Sequence, residues 1–154
     1  MKFIALDLGS HMALAHNGFG DVIITDHKEF KGPRAERANS TLVWLDARLM
    51  QIVAKCGHMD ALVFERPFAR GMDATRSLWG IAGIVEALAI GRHMAVLDLT
   101  PATIKQHITG KGNGKKPDML AAAARMGYMG NNEHEADAFC LLQVALATGE
   151  IHGR

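Results

Sequence analysis

Two short apolar runs, each closed by an acid, constrain this chain more than any other feature. Lys2 to Leu8 passes through Phe3-Ile4-Ala5-Leu6 into Asp7-Leu8-Gly9-Ser10. Asp60 to Glu65 reads Asp-Ala-Leu-Val-Phe-Glu and stops at Arg66-Pro67. Apolar runs of this length, ended by Gly or Pro, read as buried strands. Such strands lie inside a sheet that helices cover.

The rest of the chain supplies that sheet and its helices. Met12 to Ala15 and Val22 to Thr25 read as two further strands, with Asn17-Gly18 as the hairpin signal between them. The first three strands therefore form an antiparallel meander. Lys28 to Asn39 is polar, contains Gly32-Pro33, and reads as a loop. Ser40 is placed to cap a helix to about Lys55, with Leu42, Leu45, Leu49, Ile52 and Val53 at helical spacing. Thr75 to Ile90 reads as a helix rich in small residues, and His93 to Leu99 as a fifth strand. Thr100-Pro101 opens a short helix to about Ile108. Pro117 lies in the first turn of another, to Met126, and Asn132 caps the last, to about Ala147. The expected fold is α/β: a five-stranded mixed sheet, a three-strand meander plus parallel strands, flanked by helices.

Composition sets the outer limits. At 154 residues, 49% hydrophobic and 21% charged, the chain suits one globular domain over residues 1–154. It is neither disordered, collagen-like nor a coiled-coil rod. Seventeen basic residues against sixteen acidic ones give +1, so only local charge bears on nucleic-acid binding. Cys56 and Cys140 match no zinc spacing and read as reduced core thiols. The most apolar stretch, Ile81 to Ile90, is too short for a membrane span and contains Glu86. The N-terminus lacks the pattern of a signal peptide. The expected location is cytoplasmic.

Three acids stand out by position: Asp7 and Glu65 at strand ends, and Asp137 in the first turns of the last helix. If the two strands are neighbours, both carboxylates sit at one sheet edge, and a helix across that edge adds Asp137. Carboxylates from separate elements suit hard divalent cations, and two such ions can clamp the attacking and leaving oxygens of a phosphodiester. Each position also has a plainer reading. Asp7 suits a turn, Glu65 a salt bridge at a strand end, and Asp137 a favourable charge near a helix N-terminus.

Four segments in order resemble the RuvC-type Holliday-junction resolvases of the RNase H-like superfamily. They are Ala5-Leu6-Asp7-Leu8-Gly9-Ser10, Val63-Phe64-Glu65-Arg66-Pro67-Phe68, Thr109 to Lys116, and His134-Glu135-Ala136-Asp137-Ala138. The resemblance spans nearly the whole chain, and the compact form fits a phage-type member. It implies a homodimeric, Mg²⁺-dependent endonuclease with two ions per site that nicks opposing strands of a four-way DNA junction. Asp7, Glu65 and Asp137 match metal-binding carboxylates of the family, and His134 falls at the fourth ligand position. An imidazole there suits transition metals, so Mn²⁺ is expected to substitute well. Glu133, four residues before Asp137, competes for that role, whereas Glu135 reads as a solvated charge.

Lys105, Lys111, Lys115 and Lys116 fall within twelve residues free of Asp and Glu. They form either a solvated loop or a set of phosphate contacts. By resemblance, Lys105 and Lys116 lie near the active site, where Lys116 is expected to act on the scissile phosphate. Arg66, Arg70 and Arg76 are placed to grip backbone phosphates. Phe68 is either satellite core or, as the resemblance implies, a stacking partner for an unpaired base. The resemblance also puts the dimer contact on helix 75–90, where Gly80 and Gly83 permit close helix approach and Trp79 is either a dimer anchor or core. The glycines are equally compatible with tight packing on the chain's own sheet. The alternatives are an RNase H-like enzyme of ribosomal-RNA processing type, a non-catalytic junction-binding relative, and, least favoured by length, a domain of the sugar-kinase/actin type.

Overall fold

The computed structural model describes residues 1–68 and 71–149. Strands β1 (Phe3–Asp7), β2 (His11–Phe19) and β3 (Val22–Glu29) come first, followed by helix α1 (Arg34–Cys56). Then come β4 (Ala61–Glu65), α2 (Met72–Ile90) and β5 (Ala95–Leu99). Helices α3 (Pro101–Thr109), α4 (Lys116–Arg125) and α5 (Glu133–Thr148) complete the described chain. The sheet order is β3-β2-β1-β4-β5. The meander is antiparallel, while β1, β4 and β5 run parallel. This is the expected mixed sheet.

Alternation along the strands sorts the core into two layers. Phe3, Ala5, Ala13, Ala15, Ala61 and Val63 face α3, α4 and α5. Ile4, Leu6, Met12, Leu14, Leu62 and Phe64 face α1 and α2. The first set is rich in alanine, so α5 can approach closely. Helix α5 accordingly has residues buried around much of its circumference, including Ala136, Ala138, Phe139, Leu141 and Leu142.

β2, β3 and α2 extend beyond their expected bounds and β5 starts two residues late, and two further differences have clear physical causes. Helix α1 starts at Arg34, six residues before Ser40. Pro33 supplies a fixed φ of −58° at the entry, and Arg34-Ala35-Glu36-Arg37-Ala38 are strong helix formers. The loop read over Lys28 to Asn39 is therefore mostly strand and helix. The hairpin turn also lies elsewhere. Asn17-Gly18 sits inside β2 at a register shift between His16 and Phe19, and the chain reverses at Gly20 and Asp21. Gly20 has φ +81° and donates its N–H to the Asn17 carbonyl.

Asn17 is occupied differently. Its Oδ1 accepts from the Phe3 N–H at 2.7 Å and its Nδ2 donates to the Met1 carbonyl at 2.9 Å. One buried amide thus ties the start of β1 to the bulge in β2. Gly18 is required there, because a Cβ would lie 2.6 Å from the Cys56 Sγ. Asn17→Ala is expected to lower the unfolding free energy by about 1–3 kcal/mol, since it leaves a buried N–H unpaired. Urea unfolding with an unchanged m-value measures this; a loss under about 0.5 kcal/mol would contradict it.

Candidate active site at the end of the parallel strands

Parity places the two strand-end acids on one face. Asp7 shares the parity of Phe3 and Ala5, and Glu65 that of Ala61 and Val63, so both belong to the α5 side. The parallel register pairs Leu6 with Phe64, which sets the two acids side by side at the sheet's C-terminal edge. Helix α5 starts above that edge. Asn132 caps it, its Oδ1 accepting from the N–H groups of His134 and Glu135 at 3.0 and 3.1 Å. Asp137, Asp7 and Glu65 line one small cleft with Ile104, Met119 and Leu141.

The electrostatics record this crowding. Burial, with the charges of Asp137 and Glu65 adding to it, pushes the Asp7 carboxyl up to about 7, against a hydrogen bond from His134 that favours the charged form. Burial likewise raises Asp137, opposed by Lys116, His134 and Lys105. His134 Nδ1 lies 2.9 Å from Asp7 Oδ2. Glu133 turns outward, where Lys116 Nζ donates to its Oε2 at 3.0 Å. That pair raises Lys116 and lowers Glu133. Of the two candidates for the fourth position, His134 is the one against Asp7.

The donor set is hard carboxylate oxygen plus one imidazole, which suits a divalent cation in kind. Mutual repulsion among the acids is what such an ion would relieve. Among the described residues, no three acid, His or Cys side chains are arranged to enclose an ion together.

Other expected residues are dispersed. Arg66 is committed to Asp98 of β5, with Nε 2.5 Å from Oδ2 and Nη2 3.2 Å from Oδ1. It is a strand-end ion pair, though its partner is not Glu65. Phe68 is 65% exposed, which removes the satellite-core reading. Lys111, Lys115 and Lys116 are exposed and Lys105 is half-buried. Arg76 lies on the far side of the sheet, in a cleft between α1 and α2. Arg70 lies outside the described residues. Gly80 and Gly83 face open space rather than their own sheet, since α2 buries Ala82, Val85 and Ala89 instead. Trp79 is 49% exposed. Cys56 and Cys140 are free, and burial raises the Cys140 thiol to about 12. No described helix is long and apolar enough to cross a membrane.

Two participants escaped the sequence reading. Glu135 is not solvated: its side chain is 17% exposed, accepts from Thr25 Oγ1 and lies 2.5 Å from His27 Nδ1. Thr25 and His27 are two apart on β3, a period-2 signal that only the pairing partner makes meaningful. His11 stacks on His134, with ring centroids 5.1 Å apart and planes 5° from parallel. It also lies 3.3 Å from Glu29.

Comparison with known proteins places the architecture. No family model matches the sequence. A Thermus thermophilus RuvC structure superposes with a TM-score of 0.75 at 18% identity, over 97% of each chain. T. thermophilus RuvC in complex with a Holliday junction substrate gives 0.78 at 17% identity, over 97% of this chain and 94% of that one. The chain has the RuvC-type, RNase H-like fold. At this identity the likeness concerns the fold. Within the RuvC fold, the cleft of Asp7, Glu65 and Asp137 stands at the end of the two central parallel strands.

The raised Asp7 carboxyl carries a sign. The native state holds a proton there between about pH 4 and 7 that the unfolded chain has released, so this group makes stability fall as pH rises through that window. Asp7→Asn is therefore expected to stabilise the metal-free protein at pH 7.5 by about 2 kcal/mol, or roughly 4–8 °C in Tm. The gain should vanish near pH 4. Equal Tm values at pH 7.5 would show that Asp7 is not strained by its neighbours.

Proposed function

We propose that this chain is a metal-dependent, structure-selective endodeoxyribonuclease that nicks branched DNA, four-way junctions foremost, as a homodimer. The observation that carries the reading is the cleft in which β1, β4 and α5 each contribute one carboxylate, with two lysines nearby. The likeness to a RuvC bound to a Holliday junction substrate supports DNA as the substrate class.

Asp7, Glu65 and Asp137, with His134 beside Asp7, are the residues that would hold Mg²⁺ or Mn²⁺, two ions per site. When bound, the ions supply Lewis acidity toward the phosphate and the attacking water. The protein's own groups divide the remaining work. Asp7, held by His134, would offer a carboxylate oxygen to the ions. Lys116 sits close enough to Asp7 and Asp137 to feel both charges, and offers an ammonium for the phosphodiester or its developing charge. Lys105 adds positive charge beside Asp137. Lys111 and Lys115 extend that surface along the backbone of the bound strand. Phe68, exposed beyond the end of β4, is available to stack on a base freed at the branch point.

Helix α2 carries the dimer reading. Its outward face presents Gly83 and Trp79, where the glycine allows close approach of a second helix. A two-fold pair sets two sites against two strands. Trp79→Asp is expected to yield a monomer by analytical ultracentrifugation, with unchanged circular dichroism. A dimer that survives this change places the contact elsewhere.

The deciding experiment is cleavage of a labelled synthetic four-way junction with Mg²⁺ or Mn²⁺, beside linear duplex, flap and RNA–DNA hybrid. The expected result is paired nicks on opposed strands. Asp7→Asn should lower the rate by at least about 10³-fold while junction binding stays within roughly threefold. Phe68→Ala should weaken junction binding by roughly 5- to 150-fold without affecting duplex binding. Cleavage of RNA alone would assign the chain to RNA processing, and cleavage undiminished in Asp7→Asn would displace the site.

A further inference from the structure

A cleft of about 730 Å³ lies between α1 and α2 on the face of the sheet opposite Asp7. Its floor is apolar, but its rim carries Arg34 and Arg37 from α1 and Arg76 from α2. Arg34, Arg37 and Thr41 are spaced i, i+3 and i+7, so one stripe of α1 faces the cleft. Arg76 and Gly80 do the same on α2.

These arginines differ from others in the fold. Arg48, Arg66 and Arg92 each pair with an aspartate. Arg34, Arg37 and Arg76 make no ion pair or side-chain hydrogen bond among the described residues, although they share one cleft. Asp73 is the single carboxylate on its lining. A guanidinium fork matches phosphate oxygens, and three solvent-accessible forks without an internal partner around one concavity are free to meet an anion.

The cleft also has a position that names its ligand. Leu8, Gly9 and Ser10 line it, and they follow Asp7 directly in the chain. Gly9 is at most about 7 Å of backbone from Asp7. The rim therefore begins where the acidic site ends, at the same edge of the sheet. A small anion would need one arginine or two. A rim of three, continuous with a proposed nuclease site, fits a polyanion running across that edge.

We infer that Arg34, Arg37 and Arg76 bind the phosphate backbone of a DNA segment distinct from the strand at Lys105 to Lys116, one arm of a branched substrate held on the α1–α2 side. The inference rests on the nuclease reading above, and deepens it by assigning a second backbone track. The two tracks flank the sheet edge from opposite faces, so a branched substrate engages both while a linear duplex engages one.

The test is junction binding in EDTA by fluorescence anisotropy, across a salt series. The triple variant Arg34→Ala/Arg37→Ala/Arg76→Ala is expected to reduce the slope of log K against log salt by about 2 to 3, at roughly 0.9 per phosphate contact. The triple Lys variant keeps its charge and should retain the slope. Arg125→Ala, on the exposed end of α4, controls for general loss of positive charge and should leave it unchanged. Circular dichroism should be that of wild type for all, since the three arginines make no internal pair. A triple-Ala variant with the wild-type slope, in a protein that still binds and nicks junctions, overturns the second track and leaves the nuclease reading standing. An equal fall in Arg125→Ala also overturns it. Wild-type protein that binds no DNA overturns both, and a slope change seen with RNA but not DNA overturns the assigned ligand.

Discussion

Helix α5 can lie against β1 and β2 only because those strands turn alanine toward it. Ala5, Ala13 and Ala15 occupy the α5 side, while Ile4, Leu6, Met12 and Leu14 fill the other. Larger residues in the first set would lift α5 away, because a close-packed interior does not absorb extra methylenes without strain. The distance from β1 to α5 is what brings Asp137 and His134 to Asp7. Site geometry is thus set by residues that carry no chemistry.

That seating works against the site's own charges. Burial disfavours the ionised form of Asp7 and of Asp137, and each carboxylate disfavours the other. The fold answers with fastenings outside the cleft. Asn132 caps the first turn of α5, and Glu135 fixes that turn to Thr25 and His27 of β3. Glu133 and Lys116 join α5 to α4. Three successive acids or imidazoles, at 133, 134 and 135, therefore point to three different partners. A short helix start in which each side chain is engaged leaves little freedom for Asp137, one turn later, to relax away from Asp7.

The parallel core and the gathering of Asp7, Glu65 and Asp137 in one cleft were legible in the sequence because each depends on local pattern. Apolar runs ended by Asp7 and Glu65 specify both strand and position, and period-2 parity then fixes the face. Asn132 was readable as a cap because capping is decided within three residues. What failed to show was decided at long range. Asn17-Gly18 has turn chemistry, but its amide is claimed by Met1 and Phe3, and its glycine by Cys56. Glu135 has the same sequence signature as a solvated helical acid, and only β3 lying alongside makes it a brace. Arg34 and Arg37 were hidden because Gly32-Pro33 reads as a break, whereas Pro33 stands at the helix start.

The division of charge follows from the same topology. A sheet with helices on both sides offers two routes past the ends of β1 and β4, one on each face. On the α5 face, the carboxylates are held close enough to repel, and Lys105 and Lys116 offset part of that charge. On the α1–α2 face, the arginines face little acid and are left unneutralised. One face is therefore acidic at its centre with a basic border, and the other basic at its rim. A polyanion meets attraction on both faces, while only the acidic centre has a use for a cation. Under the proposed function, such an arrangement would separate holding a nucleic acid from acting on it. Removing the acidic charge should spare the grip, and removing the arginines should spare the carboxylates, because the sheet itself stands between the two sets.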